Sequence, residues 1–271
     1  MVRHPVPDNP FSGTVAADLY AAGRPFYHPR AIRRIQKIVG DAPINRALDV
    51  ACGSGLSTVA IADIAAEVIG LDTAAEMVAV AAHRSGVQYL VARAEEMPLE
   101  PDCFDAVTVA SGVHWFDQER FYKEANRVIR PDGWLAVYDH YFGGEILGDS
   151  TFARWTTERY LSKLPTPARG PRFDPGTFMP DGFVHLGGDN FEDPIKLSHA
   201  SLINYLLTQS NCIAALSAGR LSLPDLRQWL RLETRQFFPR ASSKRAFRFH
   251  GTINCLRSIK PSGITLATLR T

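Results

Sequence analysis

The sequence predicts an α/β fold built on a doubly wound, mostly parallel sheet with helices on both faces. Three observations favour it. Short apolar segments alternate with helical periodicity from residue 47 to residue 138. A Gly-x-Gly turn follows the first apolar segment, and an acidic residue ends the second. Short strands that are apolar throughout, with helices between them, are typical of βαβ units whose sheet is covered on both faces.

The elements are expected in a simple alternation. Strands are predicted at 47–51, 68–71, 87–91, 104–110 and 134–138. Helices are predicted at 31–39, 56–66, 74–83, 117–129, 151–164, 201–209 and 224–237. Pro131-Asp132-Gly133 predicts a turn before the fifth strand. The alternating segment 246–253 predicts a late strand, antiparallel and at or near the sheet edge.

Four units follow from this order. Residues 1–30 form an N-terminal arm or lid, with prolines in its first part, and residues 31–142 form the ligand-binding core. Residues 143–245 form an insertion and substrate lid with late core elements, because 142–194 is rich in proline and glycine. Residues 246–271 supply a C-terminal strand that completes the sheet.

Composition and charge exclude several classes of protein. With 271 residues, 45% hydrophobic and 21% charged, the chain is neither disordered nor collagen-like. Net charge is only +2, yet residues 1–192 carry 18 basic and 25 acidic side chains, and residues 193–271 carry 12 and 3. A basic C-terminal region can serve a polyanion or an anionic substrate, although a solvated basic face is the commoner cause. Nucleic acid is therefore not expected as a partner.

The location expected from the sequence is the cytoplasm. The four cysteines have neither zinc nor disulfide spacing, so no metal is expected. No apolar run approaches the roughly 20 residues of a membrane span, so no membrane partner is expected. The polar N-terminal segment lacks a signal-peptide pattern. The sequence leaves the oligomeric state open.

The most informative motif is the loop Asp49-Val50-Ala51-Cys52-Gly53-Ser54-Gly55, between a predicted strand and a predicted helix. Glycine there permits a tight turn and a close approach of the backbone to a ligand. Asp72, at the end of the next strand, is placed to accept hydrogen bonds from ribose hydroxyls. Thr58 replaces the third glycine of a dinucleotide fingerprint, and Asp49 is badly suited to pyrophosphate. The loop instead suits a cationic or amine-bearing ligand.

This loop resembles motif I of the class I S-adenosylmethionine-dependent methyltransferases. Further segments resemble the second motif, the adenine loop, the fourth strand and the turn before the fifth strand of that family: 68–72, 92–98, 104–107 and 129–135, with Asp132 in place of a usual glycine. The segments 24–29 and 114–117 are typical of the small-molecule branch that includes ubiquinone/menaquinone-biosynthesis and trans-aconitate methyltransferases. The resemblance covers about 20–140. It implies a Rossmann-like sheet of seven strands, an inserted helical lid and S-adenosyl-L-methionine as cofactor.

The resemblance also implies a cofactor site. The residues expected to bind the cofactor are Arg24, Asp49, Ala51, Gly53, Gly55, Asp72, Thr73, Met77, Ala94, Glu95 and Ser111. Asp49 is expected on the ammonium side of the cofactor, Asp72 on the ribose, and both Ala94 and Glu95 at the adenine edge. Arg24 is expected in an arm that closes over the cofactor.

Four side chains are candidates for catalysis: His114, His140, Tyr20 and Tyr27. His114 follows the fourth strand and titrates near neutrality, so it is a candidate base. It could equally be hydrogen-bonded or touch the cofactor without moving a proton. His140 is a weaker candidate after the fifth strand, and the two tyrosines either bind substrate or pack in the lid. Arg231 and Arg235 could clamp a carboxylate, but exposed helical arginines are commoner.

The implied activity is methyl transfer from S-adenosylmethionine to an O, N or C atom of a small-molecule acceptor, such as a carboxylated or hydrophobic metabolite. Two alternatives stay open. One is methylation of RNA or another macromolecule, which the basic C-terminal region suggests. The other is a protein on this fold that binds the cofactor without methylating, because fold does not determine function.

Overall fold

The computed structural model describes residues 10–240 and 242–261. The strands within them are β1 (Ile44–Val50), β2 (Ala65–Asp72), β3 (Val87–Val91), β4 (Phe104–Ala110), β5 (Ile129–Ile146), β6 (Phe183–Glu192), β7 (Ile195–Ser198) and β8 (Lys244–Ser258). The α-helices are α1 (Thr14–Gly23), α2 (His28–Val39), α3 (Leu56–Ile61), α4 (Ala75–Ala79), α5 (Gln118–Val128), α6 (Ser150–Trp155), α7 (Leu161–Lys163), α8 (His199–Leu207), α9 (Ser210–Ser217) and α10 (Leu223–Thr234). A π-helical turn joins α6 to α7.

The strands form one sheet, which confirms the predicted fold class. Seven of the described strands follow the order β3-β2-β1-β4-β5-β8-β6, and the short β7 pairs with β8 beside this path. Strands β1 to β5 are parallel, whereas β8 runs antiparallel to both β5 and β6. Because β1 pairs with both β2 and β4, the strand order reverses at β1. In such a sheet, ligands bind in the crevice beyond the carboxyl ends of the strands at this switch point.

Apolar side chains cover both faces of the sheet and fill the lid. Ile35 of α2 is fully buried against one face, and Phe121 of α5 is fully buried against the other. A third cluster joins α1, α6 and α8 to α10 with the far ends of β5 and β8, where the rings of Phe152 and Phe247 lie 5.2 Å apart. Coverage on two faces explains why residues 47–50 of β1 and 106–109 of β4 are buried in succession rather than at alternate positions.

Two helices are shorter than predicted. The helix expected at 56–66 ends at Ile61, and β2 begins at Ala65, opposite Ile44 of β1. Strand pairing has therefore overridden the helical preference of an alanine-rich segment. The helix expected at 74–83 ends at Ala79. The remaining predicted helices begin within three residues of their expected positions, and the last finishes in a 3-10 turn.

The turn expected at Pro131-Asp132-Gly133 is a bulge inside β5. Ile129 pairs with Phe104 and Trp134 with Ala106, so several residues of β5 lie opposite one residue of β4. Asp132 has a φ of +61°, which is the left-handed conformation that glycine adopts more easily. Beyond the bulge, β5 extends to Ile146, eight residues further than the sequence predicted.

Several elements were missed. The expected arm contains α1, and the expected lid contains β6 and β7 as well as helices. Strand β6 includes Gly187, Gly188, Asp189 and Asn190, which are typical turn residues, and its edge position leaves it half-exposed. Strand β8 lies second from the edge. Residues 1–9 of the arm and 262–271 of the last unit lie outside the described residues.

The carboxylate of Asp49 joins three elements at the switch point. It is fully buried at the end of β1, opposite Thr108 of β4. The Thr108 hydroxyl donates to its Oδ1 at 2.8 Å, while Ser57 and Thr58 of α3 donate to its Oδ2 at 2.6 and 2.7 Å. Burial raises the pKa of Asp49 to about 6, although the three hydroxyl donors oppose the shift. This carboxylate therefore fixes the first turn of α3 against the β1–β4 pair.

We expect the Thr108→Val substitution to destabilise the protein more at pH 8 than at pH 5. At pH 8 Asp49 is ionised and needs its donors, so losing one costs about 1–3 kcal/mol of unfolding free energy. At pH 5, below the pKa of about 6, the carboxyl is mostly protonated and the loss is smaller. Urea unfolding at both pH values measures this.

Thr157→Val is the matched control for this experiment, because Thr157 is exposed and its hydroxyl donates only to the Ala153 carbonyl of the preceding turn. It should change stability little at either pH. An equal loss in Thr108→Val at pH 5 and pH 8 would contradict the role given to the Asp49 carboxylate.

Candidate active site

A cavity lies at the carboxyl ends of the central strands, covered by the arm and the lid. Its lining combines the glycine loop, residues at or just after the carboxyl ends of β2, β3 and β4, residues 139–141 within β5, the N-terminal helices, the loop after α7, and the end of α8. Twelve of the residues predicted from the sequence line it: Tyr20, Arg24, Tyr27, Ala51, Gly53, Asp72, Thr73, Met77, Ala94, Ser111, His114 and His140. The structure thus brings eight of the eleven expected cofactor residues and all four catalytic candidates to one site.

The glycine loop is closed by Asp72. The backbone N–H of Gly53 donates to Asp72 Oδ2 at 2.8 Å, and that of Ala74 donates to Oδ1 at 2.9 Å. Burial raises the pKa of Asp72, while these N–H donors oppose the rise. Each carboxylate oxygen keeps a further lone pair, so Asp72 can still accept from a ligand hydroxyl.

The loop leaves room for a ligand against its backbone. Gly53 has a φ of +51°, and a Cβ placed there would meet only a ring carbon of Tyr20, at 4.0 Å. The hydroxyl of Ser54 is buried beside it and has no hydrogen-bond partner among the described residues. An open backbone, an orphaned hydroxyl and a carboxylate with spare lone pairs fit a nucleoside that carries an amino-acid group.

Three residues expected to bind the cofactor do not line the cavity. Asp49 is enclosed by its three hydroxyl donors beneath the loop. Gly55 caps α3 with a φ of +78°, and a Cβ there would collide with the Tyr89 hydroxyl, so it serves the turn. The buried carboxylate of Glu95 accepts from the backbone N–H of Asp117 at 3.0 Å. All three therefore support the wall of the cavity from behind.

The arm supplies an ordered side of the cavity. Arg24, just after α1, donates from Nη2 to the carbonyl of Thr208 at 3.0 Å. Its guanidinium carbon lies 4.5 Å from the centre of the Tyr20 ring and 5.5 Å from that of Tyr205. These contacts tie the end of α1 to the end of α8 above the crevice.

His140 is held in a stack of rings on the cavity wall. Its imidazole lies between the rings of Tyr27 and Phe249, at centroid distances of 3.8 and 5.1 Å. Its Nε2 is 3.1 Å from Oδ2 of the buried Asp193, which also pairs with Arg30. Burial lowers the pKa of His140 to about 4, although Asp193 opposes this.

At neutral pH the ring of His140 is therefore uncharged, with its proton on Nε2 toward the Asp193 carboxylate. The tautomer follows from the partner, because a carboxylate only accepts hydrogen bonds. Nδ1 then carries a lone pair, and it has no hydrogen-bond partner in the described part of the chain. Such a nitrogen can accept a proton.

His114 sits in a 3-10 turn, Val113–Trp115, directly after β4. The residue is only 6% exposed, and its Nδ1 has no partner among residues that the structure describes. Burial lowers the pKa of His114 to about 4, with further contributions from Arg169 and Arg172. Its carbonyl accepts from the backbone N–H of Gly170 at 2.9 Å, which holds the loop carrying both arginines against the cavity.

Arg169 and Arg172 also line the cavity, and the sequence did not predict them as site residues. Arg172 Nε is 3.8 Å from Oδ2 of Asp139, and its guanidinium lies 4.1 Å from the Tyr141 ring centre. Arg169 lies 6.0 Å from the Trp115 ring centre, and its Nη2 is 3.3 Å from the Ser210 hydroxyl. Both belong to an irregular segment, where no periodicity could have placed them. Asp139 was the one neighbour that the sequence could have suggested, because it directly follows the predicted fifth strand and precedes His140.

The arginine pair of α10 and the 3-10 turn after it matches the commoner alternative, exposed helical arginines, rather than a carboxylate clamp. Arg231 and Arg235 are exposed and do not line the cavity. Within the described ranges, no three His, Cys, Asp or Glu residues are grouped as a metal site would require. None of the described helices has the length and apolar character needed to cross a bilayer.

Comparison with known proteins agrees with this geometry. Residues 48–137 match the methyltransferase domain family. An uncharacterized methyltransferase of Mycobacterium tuberculosis is 35% identical over 213 residues, which is 78% of this chain and 81% of that protein. A demethylmenaquinone methyltransferase of Renibacterium salmoninarum is 30% identical over 149 residues, covering 54% of this chain and 61% of that one.

The fold leads to the same group. A solved structure described as a type II methyltransferase from Anaeromyxobacter dehalogenans superposes with a TM-score of 0.65 at 25% identity, covering 86% of this chain and 97% of that one. The matched segment 48–137 contains the glycine loop, Asp72 and the strands that carry them. The chain therefore belongs to the class I methyltransferases, enzymes that use S-adenosylmethionine as their methyl donor.

Proposed function

We propose that the protein methylates an O, N or C atom of a small molecule. The observation that carries this is the covered cavity. The arm, the loop after α7 and the end of α8 cover the crevice that the glycine loop and Asp72 line. A covered site lined by aromatic rings and a few polar groups suits a small acceptor. The similarity to a demethylmenaquinone methyltransferase supports the same class of acceptor.

The charge pattern does not favour a nucleic-acid acceptor. Basic side chains of the C-terminal region form ion pairs with acidic side chains from earlier in the chain: Arg245 with Asp149, Arg248 with Glu192 and Lys260 with Asp102. At least three of the twelve basic side chains of residues 193–271 are thus paired with acidic side chains of residues 1–192. Charge that is paired within the protein is less able to bind phosphates.

The experiment that tests this function is an acceptor screen. We expect the protein to release S-adenosylhomocysteine from S-adenosylmethionine in the presence of at least one member of a panel of phenols, quinols and carboxylic acids. Total cellular RNA and unfolded protein serve as comparison substrates. Turnover with RNA alone, or tight donor binding with no turnover on any acceptor, would contradict the proposal.

The same cavity suggests a division of labour among the core residues. Asp72 would hold the ribose hydroxyls, Gly53 and Ala51 the amino-acid part, and Thr73, Met77 and Ala94 the adenine. When bound, S-adenosylmethionine supplies an activated methyl group on a positively charged sulfur. Aromatic walls favour this charge and exclude water from the reacting atoms. Asp49, Gly55 and Glu95 would act through the residues that they position.

His140 and Asp193 would remove the acceptor's proton. Nδ1 of His140 would accept it, and the Asp193 carboxylate would stabilise the resulting imidazolium through Nε2. Arg30, paired with Asp193, would hold that carboxylate in position. Tyr27, stacked on the imidazole, would hold its plane. Ser111 and Tyr20 line the same cavity and would contact the acceptor.

The units proposed from the sequence divide this work. We propose that 31–142 form the donor site and that the C-terminal strand completes the sheet that carries it. The arm and the helices and loops within 143–245 would form the acceptor cover. Strands β6 and β7 also lie within 143–245, but they belong to the sheet and not to this cover.

The Asp72→Asn substitution should weaken S-adenosylmethionine binding. The amide presents N–H groups where the carboxylate accepts from Gly53 or Ala74 and from the ribose, so we expect affinity to fall by about 10- to 100-fold. Isothermal titration with S-adenosylmethionine and S-adenosylhomocysteine measures this. Asp63→Asn is the matched control, because Asp63 is exposed and pairs only with Arg84. Equal affinities in Asp72→Asn and wild type would refute the assignment.

The His140→Gln substitution should lower kcat/KM by about 10²- to 10⁴-fold with little change in donor affinity. In the wild type, activity should fall as pH drops through about 4, because protonated His140 cannot accept a proton. Asp193→Asn should lower the rate and shift this acid limb to lower pH, because Asp193 raises the pKa of His140. Initial rates against pH, with an acceptor from the screen, measure both effects.

His185→Gln is the control for the histidine change, because His185 is exposed on β6 and outside the cavity. Its pH profile should match that of the wild type. If Asp193→Asn lowers the rate but leaves the acid limb in place, Asp193 has only a structural role and the proton-transfer assignment fails.

A further inference from the structure

We propose that the acceptor carries a carboxylate, and that Arg169, Arg172 and His114 bind it. This inference rests on the proposed function, because it names the chemistry of the acceptor that the cavity would take. The carboxylate would be an anchor that orients the molecule, separate from the atom near His140 that receives the methyl group.

Unbalanced charge in the cavity is the first argument. The charged side chains that line it are Arg24, Asp72, Asp139, Arg169 and Arg172. Asp72 is engaged with the glycine loop, and Arg24 donates to the carbonyl of Thr208. Two arginines therefore face one aspartate, which leaves one uncompensated positive charge beside the acceptor space. A single carboxylate would balance it.

The only acidic partner of Arg172 within the described structure is a poor one. The separation between Arg172 Nε and Asp139 Oδ2 is 3.8 Å, beyond hydrogen-bond distance. Arg169 forms no ion pair with a carboxylate of the described residues; it donates to the Ser210 hydroxyl at 3.3 Å. Both guanidinium groups therefore retain donors for a ligand, since each has five N–H groups in a planar fork that matches a carboxylate.

His114 supplies an independent observation that points to a ligand. His114 is 6% exposed and lines the cavity, and its Nδ1 has no hydrogen-bond partner in the ranges that the structure describes. A buried ring nitrogen without a partner is costly, so a bound group that accepts from it would stabilise the site. Hydrogen bonding between the His114 carbonyl and Gly170 keeps this nitrogen and the two arginines on one side of the cavity.

Aromatic rings hold the arginines in place before a ligand arrives. Arg172 stacks over Tyr141 and Arg169 lies near Trp115, both of which line the cavity. Stacking on a ring restricts a guanidinium while leaving its in-plane donors free, so less entropy is lost when a carboxylate binds. The neighbouring rings would also contact an aromatic or conjugated acceptor.

Binding of matched acids and amides tests the proposal. The probes are benzoate and benzamide, phenylacetate and phenylacetamide, and cinnamate and cinnamamide, each titrated into the full chain saturated with S-adenosylhomocysteine. Within at least one pair the acid should bind about tenfold or more tightly than the amide, as charge-assisted hydrogen bonds require. This preference should weaken as salt concentration rises.

Three variants assign the preference to residues. Arg169→Gln and Arg172→Gln should each remove most of the preference for the acid, because both arginines are exposed and their loss should not disturb the fold. Arg231→Gln removes the same charge from an exposed position outside the cavity and should keep the preference. In kinetic assays the first two variants should raise KM for a carboxylated acceptor more than they lower kcat.

Failure of this inference and of the proposed function can be told apart. The affinity for S-adenosylhomocysteine is measured in the same samples, and its absence would refute the donor site itself. Normal affinity with no acid preferred over its amide would overturn the carboxylate anchor alone. A preference that survives in both arginine variants would do the same. Phenyl phosphate bound more than tenfold more tightly than benzoate would replace the carboxylate with a phosphate.

Discussion

The buried carboxylate of Asp49 stabilises the part of the molecule that we propose to bind the methyl donor. It accepts hydrogen bonds from one hydroxyl on β4 and two on α3, and so joins the two central strands to the helix that follows the glycine loop. With that helix fixed, Gly53 can donate to Asp72 at the end of β2. A charged group this deeply buried is tolerated because its oxygens are satisfied.

The part of the cavity that we propose to bind the methyl acceptor is organised around His140 instead. Its ring packs between Tyr27, which precedes α2, and Phe249 of β8, while its nitrogen reaches Asp193 in the connection between β6 and β7. Four parts of the chain that are distant in sequence therefore meet on one side chain. The antiparallel pairing of β8 with β5, which sets Phe142 opposite Phe249, makes this meeting possible.

Part of the uneven charge of the chain is paired within the protein. Basic residues late in the sequence pair with acidic residues from earlier segments where β8 and the residues after it return to the sheet. The positive charge that bears on function lies elsewhere, on Arg169 and Arg172 of an irregular loop. A count along the sequence points to the wrong half of the chain, because it cannot show which charges are neutralised by neighbours.

Much of the core could be predicted from the sequence. The apolar strands, the glycine loop and the acid that ends β2 form a local pattern, and β3 and β4 were placed to the residue. The positions of Gly53 and Asp72 on the cavity followed from the same pattern, because parallel strands bring their carboxyl ends to one edge. The ends of α3 and β5 did not follow, since pairing with neighbouring strands decides where each stops.

The sequence by itself determined the sheet, the donor crevice and the family, because these depend on periodicity and on short motifs whose members are close in the chain. Tertiary structure alone decided that Asp49, Gly55 and Glu95 support the site from behind and that Asp193 holds His140. It also decided that the arginines at the cavity are Arg169 and Arg172 rather than Arg231 and Arg235. These are contacts between different elements, such as Asp49 with Thr108, Glu95 with Asp117 and His140 with Asp193, or positions within an irregular loop. No periodicity specifies them, because only the packing of the lid on the sheet brings the groups together.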